Sequence, residues 1–324
     1  MAVYTLVGAE DAAAFLEKYE VGSLRSFKGI AEGVENSNYL LETDKGHFFL
    51  TLYESRVDPD DLPFFHDLLG HLKSAECKVP AFIADREGNW LQQLCGRPAC
   101  LIEFLSGVSV SQPNPQQARA VGQALGEFHL AVAAFDGQRP NSLGVSQWRA
   151  LADKCGRSAL EGIQTELADR VYKELDLLEK NWPDHLPLSV IHGDLFPDNV
   201  LMLGDKLSGL IDFYFACSEI RAFDIAVTHA AWSFSSDGTR YLPQIGTALF
   251  GGYDAIHGID DETKDALSWL FRGACLRFLL TRCYDWINTP ADAMVTRKDP
   301  LAFLLRLDFY SDPANVELIT GRKA

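Results

Sequence analysis

The chain has 324 residues, 47% of them hydrophobic and 23% charged, which is ordinary for a globular protein with room for two lobes. Its formal net charge of −16 argues against nucleic acid and anionic membranes as main partners, because both reward clustered Lys and Arg. No apolar run approaches 18 residues, and the first ten residues lack a basic segment followed by an apolar core. Neither a transmembrane helix nor a secretory signal is therefore expected, and a cytoplasmic location is.

Residues 11–19 predict a short amphipathic helix and residues 24–30 a strand. A polar turn with Gly33, Asn36, Ser37 and Asn38 follows, then the apolar run from Tyr39 and a second strand at 47–53, a hairpin pattern. Residues 59–73 predict a helix with Asp60 and Asp61 in its first turn. Three further strands are expected at 79–84, 90–94 and 99–104. Beyond Gly107 the character turns helical. Residues 115–133 carry Val121, Leu125 and Phe128 at helical spacing, and a lone His129 on that helix reads as structural. Residues 148–182 predict helix broken at Gly156 and Gly162, and residues 226–321 several more helices. The seven cysteines include no C-x-x-C pair; their odd number and apolar neighbours point to buried thiols rather than disulfides or a zinc site.

The most specific signal is Val190-Ile191-His192-Gly193-Asp194-Leu195-Phe196-Pro197-Asp198-Asn199-Val200, followed by Gly209-Leu210-Ile211-Asp212-Phe213. A carboxylate stands five residues before a carboxamide, and a second carboxylate closes an apolar run. Gly204-Asp205 marks a turn between them. Phosphoryl transfer needs this set: one Asp to take the proton of the attacking hydroxyl, and an Asn and an Asp to hold Mg²⁺ on the ATP phosphates. Protein kinases carry H-R-D-x-x-x-x-N and D-F-G for the purpose.

The H-G-D-x-x-x-x-N and I-D-F version resembles the superfamily of aminoglycoside phosphotransferases and choline kinases. That resemblance implies an α+β, bilobal, protein-kinase-like fold: a small antiparallel-sheet lobe at residues 1–104 that binds nucleotide, and a larger, mostly helical catalytic lobe at 105–324. It implies Asp194 as catalytic base with Asn199 beside it, and Asn199 and Asp212 as Mg²⁺ ligands. Asn36, Ser37 and Asn38 would contact the ATP phosphates, and the backbone of Glu103 and Leu105 would meet the adenine edge. Asp224 would brace the catalytic loop.

The chain also departs from that superfamily. The Lys usual on the third strand falls at Thr51, and its helix Glu falls near Phe65. An unpaired buried Glu would be costly, so joint loss is physically sensible. Lys28 or Arg56 could then assist the phosphates. The strings Thr51-Leu52-Tyr53-Glu54, Gly29 to Tyr39, Leu276 to Arg282 with Tyr284-Asp285-Trp286, and Arg297-Lys298-Asp299-Pro300 look like the homoserine-kinase branch. This implies L-homoserine and ATP as substrates, O-phospho-L-homoserine as product, and a step towards threonine. The zwitterionic acceptor would need an Arg fork for its carboxylate. Arg277 and Arg282 sit about 140° apart around a helix, so one of them faces the pocket; Arg277 is the first choice, with Trp232 beside the substrate. A kinase of the same fold for choline, methylthioribose or an aminoglycoside, and a non-catalytic pseudokinase, are the rival readings.

Overall fold

A computed structural model describes residues 5–30, 36–54, 57–289 and 297–322. Helix α1 (Ala9–Leu16) precedes an antiparallel meander of β1 (Leu24–Gly29), β2 (Asn36–Thr43) and β3 (Gly46–Tyr53). Helix α2 (Leu62–Ser74) follows a single 3₁₀ turn at Pro59–Asp61, in which the Asp58 carboxylate accepts from the Asp60 N–H at 3.0 Å. Strands β4 (Phe82–Ile83), β5 (Gln92–Leu94) and β6 (Arg97–Glu103) complete a sheet ordered β1-β2-β3-β6-β4, with β5 also on β6. Every pairing in it is antiparallel.

The period of two in β3 decides what lies on each face of this sheet. Leu50 and Leu52 pack with Phe15, Leu16 and Tyr19 from the α1 side. Tyr53 points the other way, with Phe65 of α2 and Cys100. Helix α2 is shared between cores: Leu62 and Phe65 belong with Tyr53, whereas Leu68, Leu69 and Leu72 join the large core of the helical lobe.

Helix α3 (Pro115–Val132) starts at a capping box, Asn114 accepting from the Gln117 N–H while the Gln117 side chain accepts from the Asn114 N–H; this satisfies two otherwise orphaned donors. Helices α4 (Val145–Cys155), α5 (Arg157–Ile163) and α6 (Leu167–Asn181) follow. The expected break at Gly156 is present, with φ 79°. The one expected at Gly162 comes one residue later: α5 ends at Ile163, and the chain turns at Glu166, φ 65°.

Strand β7 (Leu188–Ile191) leads into the catalytic loop. The hairpin β8 (Val200–Leu203) and β9 (Lys206–Leu210) follows, then β10 (Cys217–Ile220), which pairs antiparallel with β7. The rest is helical: α7 (Arg221–Trp232), α8 (Pro243–Ile256), α9 (Asp261–Asn288), α10 (Leu301–Ser311) and α11 (Pro313–Thr320). Helix α9 has 28 residues, about 42 Å at 1.5 Å per residue. It is the spine against which α4, α7 and α10 pack, and it buries Leu270, Phe271, Ala274, Leu276 and Leu279 completely or nearly so. No helix among the described residues is long and apolar enough to cross a membrane.

Candidate active site

Two short pairings bring the motif residues together. Strand β10 runs antiparallel to β7 with Ile220 opposite Leu188, so α7 starts at the far end of β7 and its first turn folds back to the loop that leaves β7. Asp224, fully buried in the first turn of α7, accepts the backbone N–H of His192 at 2.7 Å and that of Gly193 at 2.9 Å. His129 Nε2 is 3.2 Å from the same carboxylate, and Tyr253 Oη is 2.8 Å from His129 Nδ1. Burial alone would push the Asp224 carboxyl up, but His129 and the loop N–H groups outweigh it and hold it below the usual carboxylate range. His129 is thus a structural histidine with a specific job, orienting the brace of the loop.

The loop is fixed at further points. His192 is buried, and desolvation keeps its imidazole neutral by lowering its pKa. Its Nε2–H donates to the Ile211 carbonyl at 3.0 Å, which leaves Nδ1 to accept the Asp194 N–H at 3.3 Å. Gly193 has φ 74°, and a Cβ there would lie 3.1 Å from the Phe215 carbonyl oxygen. That explains why glycine stands where protein kinases have Arg. The Gly193 carbonyl accepts from Arg277 Nη1 at 2.6 Å, and the Leu195 carbonyl accepts from Trp232 Nε1 at 2.9 Å. Arg277 and Trp232 are 3% and 1% exposed. Both therefore hold the loop from behind, which differs from the substrate contact expected of them.

On the cleft side, Asn199 Nδ2 donates to the Asp194 backbone carbonyl at 2.7 Å and to its carboxylate at 3.0 Å. The hairpin β8–β9 sets Val200 opposite Leu210, and the Ile211 N–H donates to the Asn199 carbonyl at 3.0 Å. Asp212 is thereby brought alongside. It is left-handed, φ 64° and ψ 65°, a conformation that costs a non-glycine residue about 1–3 kcal/mol and concentrates at functional sites. Asp194 is half-buried and Asp212 opens to the cleft. The protein wall around Asp194 strips water from its carboxyl and pushes it up to about 8; Arg277 opposes that rise, and Asp212 and Asp198 add to it. Desolvation and then Asp198 push Asp212 up to about 6. Crowded acids of this kind favour a cation between them.

The oxygen donors suit a hard divalent ion. The Asn199 amide nitrogen is committed to Asp194, and its Oδ1 accepts from no described residue. Asp212 follows Ile211, whose N–H meets the Asn199 carbonyl. Among the described residues no three His, Cys, Asp or Glu converge on one point, which matches an ion held by one or two protein oxygens, phosphates and water rather than by an all-protein cage.

The nucleotide end differs more from expectation. The turn that was to cover the phosphates falls mostly on residues 31–35, outside the described residues, as does Arg56. Asn36, Ser37 and Asn38 are not turn residues but the first three of β2. Ser37 is fully buried, accepting from the Thr5 N–H at 3.0 Å and donating to Glu54 at 2.7 Å. Asn36 Oδ1 accepts weakly from the Glu54 N–H at 3.4 Å, and Asn38 Oδ1 accepts from Thr51 Oγ1 at 2.7 Å. Lys28 is exposed on β1. At the hinge, the Glu103 N–H is taken by the Ala81 carbonyl at 2.9 Å, so it is not open to an adenine. Leu105 lies over Gly209, where a Cβ would come within 2.6 Å of Leu105 Cδ1.

In place of a Lys–Glu pair there is an aromatic cluster that the sequence reading missed. Tyr214, two residues after Asp212, meets Phe65 edge-on at 5.4 Å and Tyr53 at 5.6 Å. The Tyr53 and Tyr214 hydroxyls are 3.1 Å apart. Arg139 stacks on Phe65 at 5.1 Å, donates to Asp61 at 2.7 Å and reaches the Ala216 carbonyl at 3.1 Å. Sheet, α2 and the Asp212 segment are thus joined by rings, alongside the Arg139–Asp61 pair and a Lys73–Glu103 pair between α2 and β6 at 2.6 Å. The aromatic character of position 65, where a Glu was expected, was the available signal.

The chain is similar to known proteins. The family described as "Phosphotransferase enzyme family" matches residues 26–259. A homoserine kinase of Zymomonas mobilis subsp. mobilis is 51% identical over 96% of this chain and 98% of its own length. One of Rhizobium johnstonii is 48% identical over 96% of each chain. Among solved structures, a spectinomycin phosphotransferase in complex with ADP and its antibiotic superposes with TM-score 0.70 at 14% identity, over 98% of this chain and 99% of that one. A choline kinase from Cryptosporidium parvum gives 0.67 at 14% identity, over 94% of each. With a family match over most of its length and relatives near 50% identity end to end, the chain belongs to the phosphotransferase enzyme family.

Proposed function

We propose that the protein is an ATP-dependent homoserine kinase, transferring the γ-phosphoryl group to the side-chain hydroxyl of L-homoserine. The observation that carries this is identity near 50% over nearly the full chain to several homoserine kinases; Asp194, Asn199 and Asp212 on one loop and hairpin support it.

Asp194 would accept the hydrogen bond of the acceptor hydroxyl and take its proton as the bond to phosphorus forms. The Asn199 amide holds the Asp194 carboxylate at 3.0 Å and so fixes the direction from which the hydroxyl must come. Asp224, His192, Arg277 and Trp232 keep the loop from swinging away. Asn199 and Asp212 would hold Mg²⁺, which would supply positive charge to offset that of the ATP phosphates.

The test is ADP release from Mg·ATP with L-homoserine, L-serine, L-threonine, choline, methylthioribose and kanamycin. Strong turnover with homoserine alone is the expected result. Turnover with another acceptor instead would discard the substrate, and none with any acceptor would discard the catalytic reading. Asp194→Asn should lose at least about 10³-fold in kcat, within the reach of a missing general base and its orienting hydrogen bond, while nucleotide still binds. Wild-type turnover in that variant would remove Asp194 from its role.

A further inference from the structure

The outer side of the catalytic loop is lined with cations, and two of them, Arg282 and Arg306, have no carboxylate partner among the described residues. Arg282 on α9 and Arg306 on α10 both stack on Phe303, their guanidinium carbons 4.5 and 4.4 Å from the ring centroid. Phe303 meets Phe196, two residues after Asp194, at 6.1 Å. Lys298 lies over Phe196 at 5.7 Å and pairs with Asp198 at 3.3 Å.

The hydrogen bonds of both guanidiniums among the described residues go to backbone carbonyls. Arg282 donates to Asp299 at 3.0 Å, and Arg306 to Ser235 at 3.2 Å. Arg306 is 3% exposed and its Nε has no partner among the described residues. Two like charges around one ring, in a protein of net charge −16, form a local positive site that an anion would complete, because a buried cation left unpaired is costly. Desolvation and the repulsion of Arg306 pull Arg282 down to about 10.

The site lies against the catalytic loop. Arg282 is half-buried, with donors left over, and the acids whose fields reach it are Asp299, Asp194 and Asp198. Through Phe303 and Phe196 it stands against the loop that carries Asp194, the carboxylate that the acceptor must reach. A planar guanidinium fork is the side chain best matched to a carboxylate.

Resting on the homoserine reading, we propose that Arg282 binds the α-carboxylate of the acceptor amino acid, with Arg306 as the buried second charge behind it. The enzyme's preference for an amino acid over a plain amino alcohol would then reside on α9 and α10.

The test compares L-homoserine with 3-amino-1-propanol, which is homoserine without its carboxylate, in wild type, Arg282→Gln and Arg282→Lys. A site built to bind a polar group rejects an analogue lacking it by about 10⁴-fold, so wild type should favour homoserine in kcat/KM by about that factor. Arg282→Gln should lose about 100-fold on homoserine, chiefly through KM, with the ATP KM and the aminopropanol rate unchanged. Arg282→Lys should fall between, and thermal melting should show all three folded. Full discrimination in Arg282→Gln overturns the proposal, and so does a rise in the ATP KM instead, which would give the site to phosphate. Wild type that uses homoserine and aminopropanol equally overturns the carboxylate site alone. Wild type that ignores homoserine overturns the functional reading and this one with it.

Discussion

At Asp194 the proposed catalytic role and stability pull in opposite directions. Its folded pKa near 8 lies above the 3.8 of a free Asp, so between those values the folded protein keeps a proton that the unfolded chain has lost. Stability from this group is present below about pH 4 and drains away as pH rises towards 8. Ligand-free Asp194→Asn should therefore melt higher than wild type at pH 7.5, and the difference should shrink towards pH 4.5. A variant that melts lower at pH 7.5 would contradict the crowding of acids described here. Asp224 is the opposite case, since its carboxylate satisfies two loop N–H groups and faces His129. Asp224→Ala orphans them all and should destabilise by about 3–5 kcal/mol, as removing one partner of a buried charge network does; urea unfolding measures it. That Asp194, Asn199 and Asp212 come together was readable in the sequence because a fixed spacing within one loop and hairpin leaves little freedom. Arg277 and Arg282 were not: helical phase says that they diverge, but not which direction faces the cleft, and that depends on where α10 packs.

At the scale of elements, the strands of the meander and the capped helices were readable because their signals are local. Asn114 before Pro115 set the start of α3, and alternation set β3. What was missed depends on contacts distant in sequence. Asn36 to Asn38 are turn-type residues, yet they join β2 because Thr51, Glu54 and Thr5 bond to them across the sheet. The close approach of α3 and α8 is likewise invisible locally. A Cβ on Gly122 would lie 2.0 Å from the Leu249 carbonyl oxygen, a backbone atom that cannot rotate away. Gly122→Ala should force the helices apart and destabilise by about 1–3 kcal/mol, the range for overpacking, even though alanine is the better helix former by about 1 kcal/mol. A midpoint in urea equal to or above that of wild type would show that this crossing tolerates more space than the structure gives it.

For the molecule as a whole, the helical lobe is one continuous core around α9, and a neutral imidazole is built into it. His229 is fully buried, with Tyr310 Oη 2.7 Å from Nδ1 and no partner for Nε2 among the described residues. Burial pulls its pKa down from 6.5 to about 3. Between those values the unfolded chain binds a proton that the folded protein refuses. The contribution is therefore complete above about pH 6.5 and is lost as pH falls, by about 1.4 kcal/mol per pH unit for one group. The melting temperature should decline on acidification below pH 6.5, over and above any loss from paired carboxylates. In His229→Gln the imidazole is gone, so stability at pH 7.5 should fall through the lost Tyr310 contact while the acid slope becomes shallower by about one proton. Melting of both proteins across pH 4.5–8 decides this. Parallel slopes would mean that His229 is already charged in the fold, and an acid of the core would then have to lie within reach of Nε2.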